Sequence, residues 1–226
     1  MLSTYATPFS TPANGRDIGL CDFANYGASG GGVYCFSNPT PGTGVAGHAA
    51  ATTFDETKSL LYISNGGLRD IYLLSLVLRL TNAGTAGTTV RFTQTVDTGP
   101  RTPSTTITAA MTASKGGTGG QSGTGATVYC GGIVIPAASS GRQVVGDYQY
   151  RSVIGVVLDE YGFTWGATAL PQQTATGPTD GTAQASVNVS YGPVRIPPGK
   201  VFNLHQWSAS QSGAYQFEYC GYYAEI

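Results

Sequence analysis

No stretch of this chain carries a helical repeat of apolar residues. Short alternating runs recur instead, each ended by Gly, Pro, Asn or Ser. VRIPPGKVFNLHQW, Val194 to Trp207, shows the unit: two runs parted by Pro197, Pro198 and Gly199. The prolines stop ladder pairing, and Gly199 takes a positive φ at low steric cost, so the chain turns sharply. A chain with this period of two folds as sheets. Runs of the same kind are KSLLYIS, IYLLSLVLRLT, TTVRFTQTV, ATVYCGGIVI, GRQVVG, YRSVIGVVLDE, YGFTWG, ASVNVSYG and AYQFEYCGYYAEI. Turn signals every 8–12 residues predict an all-β, antiparallel, jelly-roll-like β-sandwich of about nine strands.

Two strand readings carry weight below. In IYLLSLVLRL, both alternate sets are largely apolar, as in a central strand covered on both sides. In the C-terminal run, Tyr215, Phe217, Tyr219 and Tyr223 share one face, while Gln216, Glu218, Cys220 and Tyr222 share the other. Tyr222 and Tyr223 are neighbours, so one of them faces away from its own core unless both faces are covered. ASKGGTGGQSGTGA (Ala113 to Ala126) and LPQQTATGPTDGT (Leu170 to Thr182) read as long surface loops.

Residues 1–48 are different. Pro8, Pro12, Asn14-Gly15, Gly30-Gly31-Gly32 and Pro41-Gly42 break any regular element, yet Tyr5, Phe9, Phe23, Tyr26, Tyr34 and Phe36 are threaded among them. A solvated tail is poor in aromatics. The expected division is therefore an extended N-terminal arm over 1–48, laid along a surface, and a sandwich domain over 49–226. Deleting residues 1–40 is expected to leave the sandwich folded.

Composition narrows the function. Charged residues make up 10% of the chain, against roughly 25% in an average soluble domain. Sheet proteins use surface charge to stay apart, so this deficit predicts surface hidden against other subunits. A net charge of -1 argues against binding nucleic acid through its phosphates. The longest apolar run, ten residues, is too short to span a bilayer as a helix. The N-terminus has no basic and apolar regions of a signal peptide, so synthesis in a cytoplasm is expected, with exit by lysis or in a particle.

Enzyme signatures are thin. Gly27-Ala28-Ser29-Gly30-Gly31 matches G-x-S-x-G formally, but no helix follows the serine as a nucleophile elbow requires. His48 and His205 stand far apart in the sequence, and His205, next to Trp207 in a strand, reads as a packed residue. Asp159 and Glu160 are adjacent and so point to opposite faces. No metal-ligand spacing occurs, and no catalytic, metal or cofactor residue is expected. Cys130 and Cys220 lie in strands and read as buried thiols; the spacing of Cys21 and Cys35 fits either a bridge or two free thiols.

GHAAATTFDETKSLLYISN (Gly47 to Asn65) followed by LRLTNAGTAGTTVRFTQTVDTGPR (Leu78 to Arg101) resembles the Thr/Gly-rich structural proteins of tailed bacteriophages. The resemblance is greatest to jelly-roll capsid cement, or decoration, proteins. It implies a non-enzymatic virion protein without cofactors. Such a protein forms a homotrimer on the capsid exterior, binds the major capsid protein and clamps neighbouring capsomers. The arm residues Tyr5, Phe9, Phe23, Tyr26, Tyr34 and Phe36 would meet the capsid or a neighbouring subunit, and Tyr219, Tyr222 and Tyr223 would form the trimer contact. The alternatives are a receptor-binding or fibre-tip module with Tyr-bearing loops for host glycans, and a carbohydrate-binding module or a hydrolase.

Overall fold

The computed structural model describes residues 32–83, 90–99, 101–104, 109–111, 114–115, 125–137, 141–151, 157–166, 173–176, 186–209, 211 and 213–226. Within them the chain forms strands β1 (Gly32–Ser37), β2 (Val45–Ala46), β3 (Lys58–Asn65), β4 (Ile71–Asn82), β5 (Val90–Asp97), β6 (Ala109–Met111), β7 (Ser114–Lys115), β8 (Ala126–Val134), β9 (Arg142–Arg151), β10 (Glu160–Trp165), β11 (Gln173–Thr176), β12 (Ser186–Tyr191), β13 (Arg195–Ile196), β14 (Val201–Trp207) and β15 (Gln216–Glu225). Twelve of these are three residues or longer, rather than nine. The additional strands fall where turn-forming residues obscure the alternation. β11 lies inside Leu170–Thr182 and β7 inside Ala113–Ala126, both expected to be loops.

The strands make two sheets. The front sheet runs β11-β12-β10-β4-β15-β1-β7, with β13 also on β4 and β2 also on β15. The back sheet runs β6-β8-β3-β14-β5-β9. Eight strands form a jelly roll: β1-β15-β4-β10 in front and β3-β14-β5-β9 behind, each set in the order of interlocked Greek keys. The β5–β9 connection carries β8 and β6 to the far side of β3, while β12 extends the front sheet beside β10. The β10–β12 pair is parallel; every other ladder is antiparallel.

The core lies between the sheets. Leu76, Leu78 and Leu80 of β4 and Phe217, Tyr219 and Tyr223 of β15 face Phe92, Phe202 and Leu204 of the back sheet. Phe92 is the hub, with ring centroids 5.2 Å from Tyr161, 5.4 Å from Phe163 and 6.2 Å from Phe217. Aromatic pairs at such spacing add about 0.5–1.5 kcal/mol each beyond their area. Trp165 donates its indole N–H to Gln94 across the gap (2.8 Å), so its polar edge is satisfied inside the core.

The expected arm ends earlier than residue 48. β1 is a full strand of the front sheet, paired with β15 from Gly32↔Glu225 to Ser37↔Cys220. Phe36 packs over Gly221, where any Cβ would collide with its ring. A deletion through residue 40 would remove this strand, contrary to expectation. The glycines and prolines around it masked its alternation.

Pro197-Pro198-Gly199 is a tight turn as read: Lys200 N–H donates to Pro197 O (3.0 Å) and Gly199 has φ +73°. It is a corner between sheets rather than a hairpin. β13 before it pairs with β4 in front, and β14 after it pairs with β3 and β5 behind.

Candidate interaction face

The outer faces of the two sheets have different fates. On the back sheet, β14 and β5 turn Asn203, His205, Thr95 and Asp97 outward, and all four are buried under the chain's own loops. Arg101 grips Asp97 with one guanidinium nitrogen, at 3.0 and 2.9 Å from its two oxygens, and donates to Glu56 O (2.7 Å) and Pro136 O (2.8 Å). Asn203 donates to Asp97 (2.7 Å), and Tyr62 to Arg101 O (2.6 Å). Burial pushes the Asp97 carboxyl up from its ordinary value, while Arg101 and Asn203 pull it down. His205 Nδ1–H donates to Lys58 O (2.7 Å), and Nε2 accepts from the Thr95 hydroxyl (3.1 Å), which assigns the neutral tautomer. Burial lowers its pKa to about 4. Phe54 covers the ring edge-on at 5.2 Å. His205 is thus a packed, bonded residue, and His48 also hydrogen-bonds, through Nε2, to Ser59 O and Ile133 O.

The front sheet's outer face has no such lid among the described residues. Register aligns its outward side chains in three rows. Glu160, Arg79 and Glu218 lie side by side across β10, β4 and β15. Next come Val77 and Cys220 with Ser37 of β1, then Thr164, Ser75, Tyr222 and Cys35. Val77 is 41% exposed and Tyr222 43%. Arg79 reaches Glu160 at 3.9 Å, and Glu218 accepts from the Gly42 N–H at 2.7 Å. Asn38 fixes the strap above: its Oδ1 accepts from Tyr219 N–H (2.6 Å) and its Nδ2 donates to Thr43 O (2.7 Å). Under this strap lies a depression of about 280 Å³ floored by Val77 and Cys220 and walled by Pro41.

Several expected contacts are therefore corrected. Tyr34 and Phe36 are core residues: Tyr34 stacks on Tyr223 at 5.3 Å, and Phe36 lies 6.2 Å from the same ring. Tyr219 and Tyr223 are buried with them, so neither is a surface for a second subunit. Of the expected trimer residues, Tyr222 alone faces out, as the period of two requires. Cys220 is exposed rather than buried, because it shares that outward face. β4 is covered on its inner side, but Val77 and Arg79 lie on the open one. Cys130 is buried, and burial pushes its thiol up to about 12. Tyr5, Phe9, Cys21, Phe23, Tyr26 and Ser29 lie outside the described residues.

Reading the sequence missed Val77, Arg79, Glu160 and Glu218 as neighbours, because their alignment depends on strand order. It also missed Leu68, which is 98% exposed. A signal for it existed: a lone leucine after Gly66-Gly67, inside a turn and outside both flanking alternations. Asp159 and Glu160 do diverge, one buried and one on the open face. Among the described residues no group of three or more His, Cys, Asp or Glu could hold a metal, and no helix is long and apolar enough to cross a membrane.

The face thus combines an apolar centre (Val77, Cys220 and Tyr222), a charged row beside it and a rigid strap at one margin, an arrangement suited to protein contact. Comparison with protein-family models, curated proteins and solved structures returns no match.

Proposed function

We propose that the protein is a non-enzymatic structural subunit of a phage particle. It binds the capsid exterior and stabilises the shell by clamping neighbouring capsomers. The observation that carries this reading is the contrast between the two outer faces among the described residues: loops seal the back one, while the front one carries no such lid and is apolar at its centre. A subunit that works in an assembly keeps such a face for its neighbours. Low overall charge supports the same reading, because it leaves little repulsion between copies packed on a shell. Self-association through the front sheet supplies a homotrimer, and the segment before Gly32, with Tyr5, Phe9, Phe23 and Tyr26, supplies the contact with the major capsid protein. Binding only the assembled shell favours that shell by mass action.

Immunogold labelling of particles tests the reading. Label over the capsid surface is the expected result; label confined to the tail tip, or none, overturns it. Deleting residues 1–31 should preserve the fold, since β1 is retained, and reduce capsid binding. Undiminished binding by that truncation would remove the arm from the mechanism.

A further inference from the structure

Leu68 is the most exposed large apolar residue described, yet it sits on a turn held by several hydrogen bonds. The turn joins β3 in the back sheet to β4 in the front. Asn65, itself buried, donates to Arg69 O (2.7 Å) and Ile196 O (2.8 Å) and accepts from Gly67 N–H (3.0 Å). Gly66 N–H donates to Gly125 O (2.9 Å), and Asp70 and Ile226 exchange backbone bonds at 3.2 and 3.0 Å. Gly67 lies so close to Gly125 that neither position admits a Cβ without movement. The leucine is therefore held out in water on a fixed support, and docking it orders no loop.

The same molecule carries a hole for such a knob. The front-sheet depression, about 280 Å³, has room for a leucine side chain and offers Val77, Pro41 and Cys220 to it. Net charge matches as well: Arg69, exposed beside Leu68, meets a rim whose two carboxylates, Glu160 and Glu218, outnumber the one guanidinium, Arg79, which lies between them and pairs with Glu160. Knob and hole cannot meet within one copy. The turn precedes Ile71 at one end of β4, and Arg79 lies eight residues along the strand, roughly 26 Å away at the usual rise.

We propose that copies of this chain bind head to tail, the Leu68-Arg69 tip of one seating in the depression of the next. Different patches meet, so the contact is heterologous and generates a ring when the rotation closes. The idea deepens the reading above, from which it takes only that copies associate; where the assembly binds is a separate matter.

The test uses the full chain, Leu68→Glu and Val77→Lys, each sized by light scattering across a concentration series. The wild type should associate, and each variant alone should associate about 30-fold or more weakly, as expected for a lost central anchor. An equimolar mixture should then form a heterodimer, because one intact tip and one intact depression remain. Unchanged near-ultraviolet circular dichroism shows that each variant is folded; Glu218→Lys on the rim replaces Val77→Lys if the sheet is disturbed. Three results overturn the proposal: a wild type monomeric up to its solubility limit, a Leu68→Glu chain that associates like wild type, or folded variants whose mixture forms no heterodimer. Immunogold labelling of the shell stands or falls independently, so a failed ring and a failed capsid location are distinguishable.

Discussion

The two outer faces of this sandwich begin from similar sequence and end differently. Each is the outward side of strands that alternate apolar inward residues with a mixture of polar, charged and apolar outward ones. Behind, loops around residues 51–57, 98–99 and 101–104 close over the sheet and bury Asp97, Arg101, Asn203 and His205, each with hydrogen-bond partners. In front, among the described residues, the strap at Asn38–Thr43 covers one margin, and Val77 and Tyr222 are 41% and 43% exposed. A buried ionic layer adds little net stability, because desolvation offsets attraction. Here Arg101 also ties the loops above to the sheet, through Glu56 O and Pro136 O. Among the described residues the front face carries no such layer.

The contrast can be broken most forcefully from behind. Asp97→Ala leaves the Arg101 guanidinium buried without its carboxylate, and should destabilise by about 3–5 kcal/mol in urea unfolding. Asp97→Ala with Arg101→Met should recover part of that loss. Acid should act next. The folded-state pKa of His205 is lowered to about 4 from an ordinary 6.5, so the unfolded chain binds more protons between those values. The histidine's contribution is complete above pH 6.5 and falls as pH drops toward 4, by on the order of 2–3 kcal/mol. The difference between wild type and His205→Asn, followed by urea unfolding over that range, isolates this effect from Asp97, whose shift has the opposite sign.

The front face should respond weakly. Arg79→Ala removes an exposed ion pair and should cost about 1 kcal/mol or less. Tyr222→Ser should change stability by about 0.5 kcal/mol or less while reducing self-association. A thiol reagent sharpens the comparison further: Cys220 should react in the folded protein, and Cys130 only on unfolding. If Tyr222→Ser proved as costly to folding as Asp97→Ala, the division between a sealed and an open face would fail.

Much of this was legible in the sequence. Alternation in Leu76, Leu78 and Leu80, and in Phe217, Tyr219 and Tyr223, fixes which side of each strand is buried, because successive side chains point to opposite faces. The turn at Pro197-Pro198-Gly199 follows from the φ preferences of its residues. Tyr222 faces outward because Tyr223 faces inward. Tyr34 and Phe36 were harder, since the four glycines among residues 27–32 look like a linker until β15 supplies the partner strand.

The sequence by itself determined a two-sheet β protein with an aromatic core, since local stereochemistry allows little else for chains with this period. Only the tertiary structure decided that Glu160, Arg79 and Glu218 form one row, because they are brought side by side by the pairing of strands far apart in the chain. It also decided which outer face would be closed. That choice rests on loops finding carbonyls and a carboxylate to bond, and such long-range partners leave no periodic trace along the chain.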